Sequence, residues 1–197
     1  MSALNVDMPA GGFGVVAADC PWRFIVRSAK GAGRSPDAHY DTMTLADIRA
    51  MPVLPLLARD CHLFFWTTGP HLADAFDIIR AWGFKYSGMA FVWVKLRKTQ
   101  ADQMFITDSS FHMGMGYTTR KNAEFCLLAK RGAPKRLRKD VRELIISARR
   151  EHSRKPDEFY RRVESYAAGP RLELFGRQQR DGWTVFGNEA AKFAAAA

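Results

Sequence analysis

Val15-Val16-Ala17-Ala18-Asp19-Cys20-Pro21-Trp22 is the stretch on which the reading of this chain turns. Four apolar residues in a row suit a strand covered on both faces, because a strand with one wet face would alternate. The run ends on an acid and passes into a proline-stiffened turn that carries an indole. In sheets covered on both faces, ligands bind beyond the carboxyl ends of the strands. Asp19 stands at such an end.

Working outward, the same pattern recurs. Leu63-Phe64-Phe65-Trp66, Phe91-Val92-Trp93-Val94, Phe125 to Ala129, Leu172 to Phe175 and Thr184-Val185-Phe186 read as further buried strands. Helical signals fall between them. Thr44 is placed to cap a helix that runs through Asp47, Ile48 and Met51 and stops near Pro52. Leu72, Ala75, Phe76, Ile79 and Trp82 recur at helical spacing, with Gly83 where such a helix would end. Lys155-Pro156-Asp157-Glu158 puts a proline and two acids where a first helical turn wants them, and Phe159, Val163 and Tyr166 then form one face. Strands alternating with helices imply an α/β sandwich with a largely parallel sheet. Arg27 to His39 and Lys98 to Tyr117 carry glycines and little periodicity, and read as loops. The whole chain, 1–197, reads as a single domain with its core at about 14–189 and a frayed tail at 190–197.

The turn after Asp19 has the parts that methylation of an exocyclic amino group requires. The lone pair of such a nitrogen is delocalised into the base, which makes it a poor nucleophile. A carboxylate and a backbone carbonyl, each accepting one of its N–H bonds, favour a pyramidal nitrogen with the lone pair aimed at a methyl donor. A nearby aromatic ring can stack on the base. Asp19, the Cys20 carbonyl, Pro21 and Trp22 can supply those parts. The same four residues also read as a structural turn, with Asp19 capping backbone groups and Trp22 packed in the core.

Composition narrows the classes. Hydrophobic residues make up 47% of 197, which suits a packed core and excludes a disordered chain. Cys20, Cys61 and Cys126 are odd in number and fit no metal spacing, so free thiols, no metal and a reducing, cytoplasmic setting are expected. No apolar run reaches the length of a membrane span. The formal net charge of +10 favours a polyanionic partner. Between Arg120 and Lys155 lie thirteen lysines and arginines against four acids, a net +9. Its densest part holds Lys135, Arg136, Arg138 and Lys139, which are expected to grip phosphates rather than read bases.

Several short pieces, in one order, resemble the messenger-RNA adenosine methyltransferases and their bacterial and phage DNA-adenine relatives. They are Asp19-Cys20-Pro21-Trp22, His39-Tyr40-Asp41-Thr42-Met43, Trp66-Thr67-Thr68, Trp82-Gly83-Phe84, Trp93-Val94-Lys95, Glu124-Phe125-Cys126-Leu127, Ser153 to Glu158, Glu173-Leu174-Phe175-Gly176-Arg177, and Trp183 with Gly187-Asn188. The resemblance implies a Rossmann-like S-adenosylmethionine-dependent methyltransferase with permuted motifs, the catalytic turn early and much of the cofactor site late. It implies adenine in DNA as the substrate, with RNA as the alternative, and S-adenosylmethionine as the cofactor. A catalytically silent nucleic-acid-binding relative is the other reading. By the same likeness Asp19, Ser153, Lys155, Phe175, Arg177, Gln179, Asn188 and Glu189 surround the cofactor, and Tyr40 closes over the base. A second subunit, of this chain or another, is left open. Two departures stand out. Cys20 replaces the first proline of the family's catalytic turn, leaving the carbonyl but loosening the backbone. Gln178-Gln179-Arg180 replaces a Pro-His-Asn segment, which unsettles the ribose contacts.

Overall fold

A computed structural model describes residues 4, 6–23, 42–100, 105–114, 118–150 and 154–187. Seven strands form one sheet: β1 (Phe13–Asp19), β2 (Leu57–Thr67), β3 (Lys85–Leu96), β4 (Ala123–Arg131), β5 (Leu144–Ala148), β6 (Arg171–Leu174) and β7 (Trp183–Phe186). Their order is β5-β3-β4-β2-β1-β6-β7. β1 pairs in parallel with β2 and β6, β6 with β7, and β3 with β5. β4 runs antiparallel to both its neighbours, β2 and β3. Six strands therefore point one way, and the expected largely parallel sheet holds with β4 as the exception.

The apolar runs sort by the two-residue period of a strand. Val16, Ala18, Leu63, Phe65 and Leu127 face one side, where they meet Ile48 of α1 (Leu45–Arg49) and Ala75, Ile78 and Ile79 of α2 (Leu72–Ala81). Val15, Ala17, Phe64, Trp66, Phe91 and Trp93 face the other side, against Phe159, Tyr160 and Val163 of α3 (Asp157–Tyr166). Both faces of β1 and of β2 from Cys61 onward are thus dry, which is why Val15 to Ala18 and Leu63 to Trp66 are apolar without alternation.

Local chemistry sets the helix limits. The Thr44 hydroxyl accepts the Asp47 N–H at 3.1 Å and caps α1. The Trp82 indole donates to the Ile48 carbonyl at 3.0 Å, joining the ends of α1 and α2. Gly83 ends α2 at φ +82, and a Cβ there would stand 2.9 Å from Leu54 Cδ1, so glycine is required on two counts. Two expectations need correction. β6 stops at Leu174; Phe175, read from sequence as its last residue, turns out of the sheet at φ 64. β5 was hidden inside the basic stretch. It is an edge strand with only Ile145 buried, so flanking charge masked its short apolar run. No helix among the described residues is long and apolar enough to cross a membrane.

Candidate functional site

Parallel pairing puts the ends of β1, β2, β3 and β6 along one edge of the sheet, and a cluster of paired charges gathers there. Asp19 ends β1 opposite Trp66 of β2. Lys155 lies just before α3 and is 5% exposed. Its Nζ donates to Asp19 Oδ2 at 2.5 Å and stands 3.3 Å from Glu124 Oε2. Glu124 Oε1 in turn accepts from Lys95 Nζ. The result is a ladder of alternating charge, Asp19–Lys155–Glu124–Lys95, that draws one residue from each of four segments. Trp66 and Trp93 floor it: Lys155 Nζ lies 5.2 Å from the first ring and Lys95 Nζ 4.6 Å from the second.

The ladder sets the protonation states. Burial by itself would discharge Lys155, but the Asp19 and Glu124 carboxylates outweigh it and hold the ammonium above the usual lysine range. Burial would likewise raise Glu124, yet Lys155 and Lys95 hold it down at about 2. The Cys20 thiol is buried and pushed up well above its ordinary value, with the Asp19 charge adding to the burial. A neutral, enclosed thiol is a poor nucleophile.

The turn after Asp19 has two features that bear on the sequence reading. The Cys20 carbonyl accepts the Trp22 N–H at 2.9 Å, which leaves its second lone pair for another donor. Trp22 is 4% exposed, stacked on His71 at 4.9 Å and edge-on to Phe65 at 5.8 Å. For Trp22 the core reading holds, and its ring is not an open platform for a base. Pro21 accepts the Met43 N–H at 3.0 Å, tying the turn to the start of α1.

The expected cofactor residues are brought near this ladder in part. Lys155 belongs to it. Phe175, Arg177 and Gln179 follow β6, next to β1, on a loop pinned against the start of α3. Asp157 accepts from Arg150 at 2.6 Å and from Arg180 at 2.8 Å, and Arg154 donates to Gln178 at 2.9 Å. The Arg180 guanidinium lies 3.8 Å over the Tyr160 ring, whose hydroxyl donates to buried Glu173 at 2.6 Å. Burial pushes the Glu173 carboxyl up to about 7. The backbones of Gly176 and Gly187 pass so closely that a Cβ on Gly187 would lie 2.4 Å from the Gly176 carbonyl. Tyr40, Ser153, Asn188 and Glu189 fall outside the described residues.

The basic run is elsewhere. The Leu137 N–H donates to the carbonyl of Tyr166, the last residue of α3, at 2.7 Å. Lys135, Arg136, Arg138 and Lys139 therefore sit one helix length, about 15 Å, from the end of the sheet that holds Asp19. Sequence order had set this run between the catalytic and cofactor motifs. In space the antiparallel course of β4 carries it to the opposite end.

Lys95, Glu124, Glu173 and Tyr160 had not been assigned to the site from sequence. A usable signal existed for the three charged residues: each interrupts or borders an apolar strand, where an unpaired charge would be costly. Among the described residues no group of three or more histidines, cysteines or acids could hold a metal ion.

Comparison with known proteins identifies a family. The model of the MT-A70 family matches residues 13–189. The type II methyltransferase M.MunI of a Mycoplasma species is 30% identical over 202 residues, covering 93% of this chain and 80% of that protein. The N(6)-adenosine-methyltransferase MT-A70-like protein of Drosophila melanogaster is 30% identical over 183 residues, covering 91% of this chain and 27% of that one. The human N(6)-adenosine-methyltransferase catalytic subunit METTL3 is 28% identical over 183 residues, with 91% and 28% covered. The chain thus spans most of the bacterial relative but little more than a quarter of these two animal proteins.

Proposed function

The chain belongs to the MT-A70 family of methyltransferases, and from that premise we propose that it transfers the methyl group of S-adenosylmethionine to the 6-amino group of adenine in DNA. The observation that carries this reading is the Asp19–Lys155 pair at the carboxyl edge of the sheet. Its chemistry fits the cofactor: an ammonium and a carboxylate side by side complement the carboxylate and ammonium of a methionine moiety. Lys155 would hold the methionine carboxylate, and the pinned loop with Phe175, Arg177 and Gln179 would hold the nucleoside part. Tyr40 would close over the base, with Ser153, Asn188 and Glu189 completing the cofactor's surroundings. When bound, the cofactor supplies an electrophilic methyl group on a sulfonium.

Everything else is the work of the chain. The Asp19 carboxylate accepts one N–H of the adenine amino group, and the free lone pair of the Cys20 carbonyl accepts the other. The nitrogen is thereby pyramidalised with its lone pair outward. After transfer that nitrogen carries one proton too many, and Asp19 is the base positioned to take it and pass it to water. Lys155, bonded to Asp19, fixes the orientation of the carboxylate for that task. Trp22 serves by fixing the turn from beneath.

DNA is favoured over RNA because the chain matches most of the length of a bacterial type II methyltransferase. RNA stays the alternative because the eukaryotic relatives are named adenosine methyltransferases. A silent binding relative would keep the nucleic-acid surface without turnover. Incubation of the pure protein with labelled S-adenosylmethionine and DNA or RNA pools, followed by nucleoside analysis, separates the three. N6-methyladenine in the DNA pool is the expected product. Label in RNA alone moves the substrate, and nucleic-acid binding with no label in either pool overturns the enzyme.

A further inference from the structure

The basic run at Lys135 to Lys139 lies far from Asp19, which leaves open what holds a substrate strand at the end of the sheet where the chemistry gathers. We infer that a shelf at the ends of β3 and β5 does so, binding a nucleic-acid strand through Arg97 and Arg149 and stacking unpaired bases on Phe105 and Met113. The inference rests on the methyltransferase reading only for its choice of polymer.

The shelf is held by hydrogen bonds. The Arg97 N–H donates to the Ser110 carbonyl at 2.9 Å, the His112 N–H to the Lys95 carbonyl at 2.8 Å, and the Arg149 N–H to the Leu96 carbonyl at 3.0 Å. Phe111 bridges Leu96, and the Thr107 N–H donates to the Ser110 hydroxyl at 3.1 Å. Residues 107–112 are thereby fastened to the carboxyl end of β3, the strand that supplies Lys95 to the ladder.

The composition of that surface is uncommon. Among the described residues of 97–122, Asp108 is the only acid, while Arg97, Lys98, Arg120 and Lys121 are all exposed. Arg149 joins them from the end of β5. Their field is felt by His112, whose proton affinity is lowered by burial and then by Arg149, Lys95 and Arg97. Between these cations stand bare apolar side chains: Phe105 is 78% exposed and Met113 66%. Met113 follows the fastened segment and Phe105 precedes it, so both offer apolar surface for a contact at its two ends. Apolar and aromatic groups set among exposed arginines match a polymer with flat bases and charged phosphates, the arrangement of single-strand platforms. A protein partner with an acidic face is the competing occupant.

Position agrees. β3 lies three strand spacings from β1, so the shelf is about 14 Å across the sheet from Asp19. That is about four steps of a stacked strand at roughly 3.4 Å each. A strand with its adenine at Asp19 would lay the flanking nucleotides across the shelf.

The test measures binding of fluorescein-labelled 20-nucleotide DNA and RNA oligomers, single-stranded and duplex, across a salt series. Three forms are compared: the full chain, Arg97→Gln/Arg149→Gln and Phe105→Ala/Met113→Ala. The arginine pair should lower the slope of log affinity against log salt by about 0.7 per lost phosphate contact on single strands. The apolar pair should weaken single-strand binding about five- to tenfold with the slope unchanged, as loss of stacking requires. Affinities within twofold of the parent for both variants overturn the proposal. So does an apolar pair that leaves oligomer binding intact and changes only the sedimentation of the protein, because the patch is then a protein interface. If no adenine is methylated in any pool while the variants still lose binding, the enzymatic reading falls and the shelf stands.

Discussion

The two ends of the sheet use charge in opposite ways. At the carboxyl end Asp19, Lys155, Glu124 and Lys95 are half-buried or buried and each is answered by a neighbour. At the amino end Lys135, Arg136, Arg138 and Lys139 stand exposed, and Arg138–Asp140 is the one ion pair of that run among the described residues. Solvent and salt screen the second group, so it acts at long range and weakly per charge. Enclosure makes the first group strong and intolerant of loss. The densest cluster of like charge in a sequence is therefore a poor guide to where buried charges meet. A few charges forced into an apolar wall are a better one.

The largest effect should come from removing the central rung of the ladder. Lys155→Met leaves the Asp19 and Glu124 carboxylates facing an apolar chain, and breaking a buried pair costs about 3–5 kcal/mol. Urea unfolding should show that loss, and calorimetry should show weaker binding of S-adenosylmethionine. A midpoint within error of the parent would mean the ladder carries no stability and the contrast between the ends is only one of burial.

Next comes turnover. Asp19→Ala should lower the single-turnover rate by about 10²–10³, the usual cost of one preorganised contact to the reacting group. Cys20→Ala should keep its rate, because the backbone carbonyl survives and the enclosed thiol is neutral. An inactive Cys20→Ala beside an active Asp19→Ala would assign the chemistry to sulfur.

The ends should also answer pH in opposite senses. His62, in the middle of β2 and opposite Val15 near the start of β1, is 2% exposed, and burial together with the Lys130 charge lowers its pKa to about 4. Unfolded chains take up that proton near 6.5, so stability falls as pH drops from about 6.5 to 4, by up to ~3 kcal/mol. Glu173, beside the carboxyl end, is pushed by burial to about 7. The folded state then binds the extra proton between about 4.5 and 7. Its contribution is complete below 4.5 and is lost as pH rises through 7, again by up to ~3 kcal/mol. Urea midpoints across pH should lose the acid limb in His62→Leu and the neutral limb in Glu173→Gln. If either variant leaves its limb in place, that group is not the one titrating.

The smallest effect is expected at the amino end. Neutralising Lys135, Arg136, Arg138 and Lys139 together should weaken DNA binding several-fold at low salt and leave the single-turnover rate at saturating DNA unchanged. A drop in that rate would show that the far end takes part in catalysis, and the comparison between the ends would fail.

How much of this was legible beforehand depends on the range of the interaction. The cores of β1, β2, β3 and β4 and the courses of α1 to α3 could be read from local pattern, because burial on two faces writes itself into consecutive residues and caps lie within one turn. The turn proposed as catalytic could be singled out for the same reason: Asp19 to Trp22 are neighbours in sequence. β5 was not, since an edge strand with one buried residue leaves almost no pattern. Nor was the partner of Asp19 derivable from spacing, for Lys155 lies 136 positions away, and its place in the site was suggested only by likeness to known enzymes. The rung from Lys95 to Glu124 needs the antiparallel register of β3 on β4. That register brings the two side chains together, and no property of either residue alone announces it. Sequence by itself determined which segments are buried and where one turn offers a carboxylate. Tertiary structure alone decided which charges meet and which end of the sheet receives the basic run. Pairing direction and crossover are set by the packing of the whole chain, and they carry residues distant in sequence to one edge or apart to two.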